Sequence, residues 1–162
     1  MPARGGAHDN VRNAAVVVNR TNQPSAEAEP KTVVIVDNER IVRTLYELGL
    51  TNAGYQVAAA VDMASGLALC EHLKPDVVIV DIFLPEPSGL ELIRRLRMQG
   101  SPPGIIAVTG AGTVQHVDAL FAAKEAGADV TLRKPIPWNV LLEAVAELVG
   151  APCRSSDETP TP

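Results

Sequence analysis

Four side chains able to do polar chemistry stand at matching places in this chain: Asp37, Asp81, Thr109 and Lys134. The two aspartates each close a copy of one pentapeptide, Val-Val-Ile-Val-Asp, at 33–37 and 77–81. Four apolar, β-branched residues without alternation suit a strand buried on both faces. The acid then stands at the strand's carboxyl end, where open α/β sheets bind their ligands. If the two strands are neighbours, Asp37 and Asp81 face each other across one crevice. Two carboxylates at close range repel, so such a pocket calls for a cation or a proton. Thr109 and Lys134 follow two further apolar runs and bring a hydroxyl and an ammonium to the same edge. Singly each has an ordinary structural reading, since Asp and Thr cap helices constantly. Four at corresponding positions point to a site.

The elements that must position these groups alternate with little waste. Strands are expected at Thr32–Val36, Gln56–Ala60, Val77–Val80, Ile105–Val108 and Asp129–Leu132. Helices are expected at Glu39–Ala53, ending at Gly54, from a cap at Asp62 to Leu73, and at Gly89–Met98. Two more are expected at Val114–Ala126 and from Pro137 to Gly150. Five βα units with right-handed crossovers give a doubly wound parallel sheet with helices on both faces. Residues 1–30 read as a flexible leader and 151–162 as a disordered tail, which leaves 31–150 as the folded unit.

Bulk composition fits one domain. Apolar residues make up 46 % of the 162 positions, enough for one core, but aromatics only 3 %, so aliphatic side chains must fill it. The segment 31–150 carries ten Lys/Arg against fourteen Asp/Glu, a net charge of −4, which argues against a nucleic-acid surface. Cys70 and Cys153 are too few for a disulfide framework or a zinc site. No apolar run approaches the roughly 18 residues that span a bilayer. Ala14–Val18 is too short for a signal-peptide core of ~7–15 residues. A cytoplasmic protein that does not engage a membrane is expected.

Four stretches carry a resemblance: VVIVDNE (33–39), PDVVIVDIFLPEPSGLEL (75–92), IIAVTGAG (105–112) and AGADVTLRKPI (126–136). Together they resemble the receiver domain of two-component response regulators, over about residues 31–150. The Asp81–Pro85–Gly89 spacing and the Lys134–Pro135 pair are its most specific parts. The resemblance implies a flavodoxin-like (βα)5 fold with strand order 2-1-3-4-5. It also implies that Asp81 accepts a phosphoryl group from a histidine kinase or a histidine phosphotransfer protein. Mg2+ would be the cofactor, held by Asp81, the acid site at Asp37 and Asn38, and the main-chain carbonyl of Phe83. Lys134 and Thr109 would meet the phosphoryl oxygens. Such a protein is not an ordinary enzyme but a phosphoacceptor that catalyses its own phosphorylation and dephosphorylation. With no effector domain after Gly150, it reads as a single-domain regulator whose output is protein contact or phosphorelay.

Two positions depart from the family. Asn38 stands where a second acid usually ligates the metal. An amide ligates without charge, so weaker Mg2+ binding is expected, and Asn38 also suits a helix cap. Thr131, three residues before Lys134, stands where an aromatic switch residue is common. Switching would then rely on Thr109 and its glycine-flanked loop, Gly110 and Gly112. The competing expectation is a receiver-like interaction module that works without phosphorylation. A nucleotide binder fits poorly, because Asp37-Asn38-Glu39 replaces a glycine-rich loop. A hydrolase with an aspartate nucleophile also fits poorly, because Phe83 replaces its second acid. His8, His72 and His116 show no metal-ligand spacing. Arg94, Arg95 and Arg97 read as a solvated face, and Trp138 as a core plug or a partner contact.

Overall fold

The computed structural model describes residues 29–110 and 115–150, with the backbone alone at 115–117. Most of the leader, the tail with Cys153, Gly112, His8 and the His116 side chain lie outside the described residues. Five strands and five helices alternate: β1 (Thr32–Val36), α1 (Arg40–Asn52), β2 (Gln56–Ala60), α2 (Met63–Leu73), β3 (Val77–Asp81), α3 (Gly89–Arg97), β4 (Gly104–Thr109), α4 (Gln115–Ala126), β5 (Val130–Arg133) and α5 (Trp138–Leu148). The strands form one parallel sheet in the order β2-β1-β3-β4-β5.

The duplicated pentapeptides are neighbours and pair in register. Val33, Val34, Ile35 and Val36 lie opposite Val77, Val78, Ile79 and Val80. Alternate side chains serve opposite faces of the sheet. Val34, Val36, Val78 and Val80 pack with Leu92, Ile93 and Leu96 of α3. Val33, Ile35, Val77 and Ile79 pack with Leu50 of α1 and with Leu141 and Val145 of α5. All eight are at most 1 % exposed. A run that feeds two cores has no polar face, which is why these strands do not alternate.

Sheet and helix ends are fixed by side chains that sequence patterns do not reveal. At the amino-terminal edge, Asp76 Oδ2 accepts from the Thr32 N–H at 2.8 Å, and Asp129 Oδ2 from the Ile105 N–H at 2.8 Å. Each aspartate precedes one strand and pins its neighbour. Burial pushes the Asp76 carboxyl up, but the Thr32 N–H and Lys31 ammonium outweigh it and hold it below the usual range. Arg97 corrects the expected solvated face. Arg94 and Arg95 are exposed, but Arg97 turns back to donate to the carbonyl oxygens of Pro103 and Gly127 and to pair with Asp129. It clamps α3 to both ends of the β4–α4 unit.

Asp62 caps α2 as expected, its carboxylate accepting from the Ser65 N–H at 2.8 Å. The other end of α2 is less comfortable. Lys74 closes it at φ 47°, in the left-handed region, with its N–H donating to the Cys70 carbonyl. A side chain there costs about 1 kcal/mol that glycine avoids. Lys74→Gly is therefore expected to raise stability by about 0.5–1 kcal/mol, seen as a higher urea midpoint at unchanged slope.

Cys70 is buried in the α2 core, and burial pushes its thiol up to about 11. A thiol whose folded value is raised loses stability as pH climbs from the ordinary value of 9.0 toward 11, because only the unfolded chain ionises there. In a Cys153→Ser protein, Cys70 should react with a thiol reagent at pH 8 about a hundredfold more slowly when folded than in denaturant. Comparable rates would contradict its burial.

Candidate functional site

The backbone of the site continues the sheet's own ladder. The Asp37 N–H donates to the Ala60 carbonyl at 3.2 Å, and the Ile82 N–H to Val108 at 2.9 Å. The Lys134 N–H donates to Thr109 at 2.8 Å. Asp81 and Thr109 are themselves strand residues, opposite Val108 and Arg133, rather than the first residues past the strands. Four site positions are thus held by main-chain hydrogen bonds on rigid elements.

The side chains converge. Lys134 Nζ donates to Asp37 Oδ2 at 2.7 Å, to Asp81 Oδ2 at 3.0 Å and to Glu39 Oε1 at 3.3 Å. Asp37, Asp81 and Thr109 are the buried polar residues of the described core. Asp81 Oδ1 also accepts from the Phe83 N–H at 2.9 Å, which fixes the carboxylate plane. Asp37 Oδ1 accepts from the Glu39 N–H at 2.7 Å, and Arg43 donates to the Asp37 carbonyl at 2.7 Å. These bonds fold the β1–α1 turn around the pocket.

Charge in the pocket is unbalanced. Burial raises the Asp37 carboxyl above its usual value, although Lys134 and the Glu39 N–H oppose the shift. Burial also works against the Lys134 charge, but its bonds to Asp37 and Asp81 outweigh that and raise its pKa. One ammonium among three carboxylates leaves an excess of negative charge. Ligand oxygens of Asp37, Glu39 and Asp81 lie within 4.8 Å of one another. The donor set is entirely hard oxygen, with no imidazole or thiolate, and it suits Mg2+ rather than a softer ion.

Most residues singled out from sequence meet here, and some do not. Asn38 is exposed, and the N-cap of α1 is Glu39, with no side-chain cap bond, so the capping role expected of Asn38 is not observed. Thr131 is half-buried on β5 opposite Ala107. Gly110 continues from Thr109, but residues 111–114 of that loop lie outside the described residues. Trp138 packs its ring over Gly49 of α1, where an added side chain would have to displace the ring, and keeps 39 % of its surface exposed. It is thus not a core plug: it joins α5 to α1 at the surface and belongs to neither core cluster. Glu39 was not singled out. Its signal lay two residues past Asp37, in the VVIVDNE stretch. A groove of about 810 Å³ lies at the opposite edge, between Cys70, Asp76, Gln99 and Leu148. Of its two acids, Asp76 is engaged by Lys31 and Thr32 and Glu71 is exposed, and its thiol is buried.

Comparison with known proteins agrees with this geometry. The family model of the response regulator receiver domain matches residues 33–146. Response regulator MprA of Mycobacterium sp. strain KMS is 34 % identical over 131 residues, covering 81 % of this chain and 55 % of that protein. The DNA-binding dual master transcriptional regulator RpaA of Synechocystis sp. is 32 % identical over 130 residues, covering 79 % of this chain and 51 % of that one. The chain thus spans about half the length of these curated relatives. Among solved structures, a CheY-like receiver domain protein from Methanospirillum hungatei superposes with a TM-score of 0.68 at 28 % identity, covering 74 % of this chain and 94 % of that one. With the strand order, the in-register strands that lead to the two acids and these matches together, the chain belongs to the response regulator receiver domain family.

Proposed function

We infer that this receiver is an active phosphoacceptor and that Asp81 carries the phosphoryl group. The observation that supports this best is the Asp81 carboxylate itself. It is buried, held in plane by the Phe83 N–H, and paired with Lys134 at the carboxyl end of the central strand. A carboxylate oxygen of Asp81 attacks phosphorus and forms an O–P bond. The P–N bond to the donor histidine breaks, and its electron pair leaves with the imidazole. Lys134 offers a fixed positive charge to the transferring group, and Thr109 offers its hydroxyl. Asp37 shares Lys134 with the acceptor and so sets where that charge sits. Mg2+, held by Asp81, Asp37, the residues just after β1 and the Phe83 carbonyl, would supply charge neutralisation to the phosphoryl oxygens.

The donor would be a histidine kinase or a histidine phosphotransfer protein. Supporting this, α1 presents a stripe of exposed apolar residues beside the pocket. Ile41, Leu45 and Leu48 are 60–75 % exposed at helical spacing, and Trp138, whose ring covers Gly49 of the same helix, is 39 % exposed. A helical donor could bury that stripe while bringing its histidine to Asp81. Output would be protein contact or relay, from a cytoplasmic protein. RpaA is a DNA-binding protein by its name, but the match covers 51 % of it, and this segment's net charge of −4 does not favour a nucleic-acid surface. Among the described residues, no helix is long and apolar enough to cross a membrane.

Incubation with acetyl phosphate and Mg2+, followed by intact mass, tests the reading. It predicts one added phosphoryl group, absent in Asp81→Asn. Thr131, which carries no ring to bury, favours the second reading, a phosphorylation-independent interaction module. The absence of any adduct from small donors or from cognate kinase would establish that one instead.

A further inference from the structure

Glu39 is the third acid of the pocket, and its neighbour Asn38 brings no charge there. The extended N-cap of α1 at Glu39, and its N–H bonded to Asp37 Oδ1, hold residue 39 beside the carboxylate pair. From there its longer side chain reaches back over the mouth to Lys134 Nζ at 3.3 Å. Asn38, one residue earlier, is exposed and outside this network. With all four groups ionised, Asp37, Glu39, Asp81 and Lys134 leave a net charge of −2, which a dication neutralises. Without Glu39 only −1 remains, because Asn38 adds nothing.

We propose that Glu39 supplies the metal-side charge that Asn38 lacks, so that Mg2+ is held by the carboxylates of Asp37, Glu39 and Asp81. This rests on the phosphoacceptor reading of the same pocket. The three carboxylates already lie within mutual reach of one ion. Glu39 also makes the longest of the three Lys134 contacts and is the most exposed of the three acids, at 61 %. It is therefore the group most easily turned from the ammonium toward a dication. Affinity at such sites follows ligand charge count.

Titration calorimetry with Mg2+ on the full chain tests this without relying on phosphorylation. Glu39→Gln is expected to weaken binding by about tenfold or more, while Glu71→Gln, on the exposed face of α2, leaves it unchanged. Adding Asn38→Asp to Glu39→Gln should restore most of the affinity, because the charge returns one residue away. Thermal unfolding of each variant without Mg2+ checks that the fold is intact. Wild type that binds Mg2+ with the same or lower affinity than Glu39→Gln would overturn this assignment and leave the phosphoacceptor reading standing. Wild type with no Mg2+ binding would overturn both.

Discussion

Gly89→Ala is expected to destabilise the protein by about 3 kcal/mol and to slow phosphorylation of the molecules that still fold. A Cβ at residue 89 would overlap the Asp81 carbonyl oxygen. It would also lie 2.9 Å from the Asp81 carbonyl carbon and from Ile82 Cα. All three are backbone atoms at the end of a central strand, so no flexible side chain can give way. The Gly89 N–H closes the 82–89 loop by donating to the Ile82 carbonyl at 3.2 Å, and the first turn of α3 thereby rests on the residue directly after the acceptor. Making room for a methyl group means lifting α3 or displacing Asp81, and the second moves the nucleophile relative to Lys134. Misplacement by about 1 Å can cost a hundredfold in rate. Urea unfolding measures the first effect, and the initial rate of mass gain with acetyl phosphate the second. Gly100→Ala is the control. Nothing lies within 4 Å of its added Cβ, so stability should change by less than about 0.5 kcal/mol.

Lys134→Met should be almost as costly, for an electrostatic reason. The ammonium is 13 % exposed and lies between two carboxylates that are 4 % and 5 % exposed. Removing one partner of a buried ion pair costs about 3–5 kcal/mol, because the remaining charge is left desolvated and unpaired. Here two carboxylates would be left. The expected loss is about 3 kcal/mol in Mg2+-free buffer. Lys134→Arg, which keeps the charge, should lose less. Millimolar Mg2+ should recover part of the Met variant's deficit, since a ligand bound only by the folded state adds stability by mass action. The pH dependence has a definite sign. The folded Lys134 pKa lies above the ordinary value of 10.5, so its stabilisation is complete below that value and is lost as pH rises through the higher one. A Met variant as stable as wild type without Mg2+ would contradict the pairing.

Much of this was legible in the sequence because the strands carry both faces of their environment in their composition. The two Val-Val-Ile-Val runs could be placed from burial logic alone, whereas setting their acids opposite each other needed the strand order that the family resemblance implies. The ends of the strands were less legible. Asp81 and Thr109 belong to β3 and β4 because they pair with Val108 and Arg133, a partnership that depends on register rather than on residue type. β5 begins at Val130, one residue later than expected, and Asp129 just before it bonds Ile105 through both its N–H and its carboxylate. Arg97 resembled its exposed neighbours, and only the packing of α3 against the β4–α4 unit gives its guanidinium carbonyls to bind. The α1 stripe was hidden for the opposite reason. Apolar periodicity marks a face that can be buried, and cannot say whether this chain or another buries it. Within the site, Asn38 drew attention because it differs in type from an expected acid. Glu39 was passed over, since its approach to Lys134 depends on how the β1–α1 turn folds over Asp37.

The central claim is that Asp81, and no other carboxylate, receives the phosphoryl group. Its most direct test is borohydride trapping after brief phosphorylation with acetyl phosphate and Mg2+, followed by peptide mass mapping. Hydride reduces an aspartyl phosphate to homoserine and leaves free carboxylates untouched. The account predicts homoserine at residue 81 alone. Homoserine at residue 37 instead, or no reduced residue in a protein that has gained the phosphoryl mass, would contradict it.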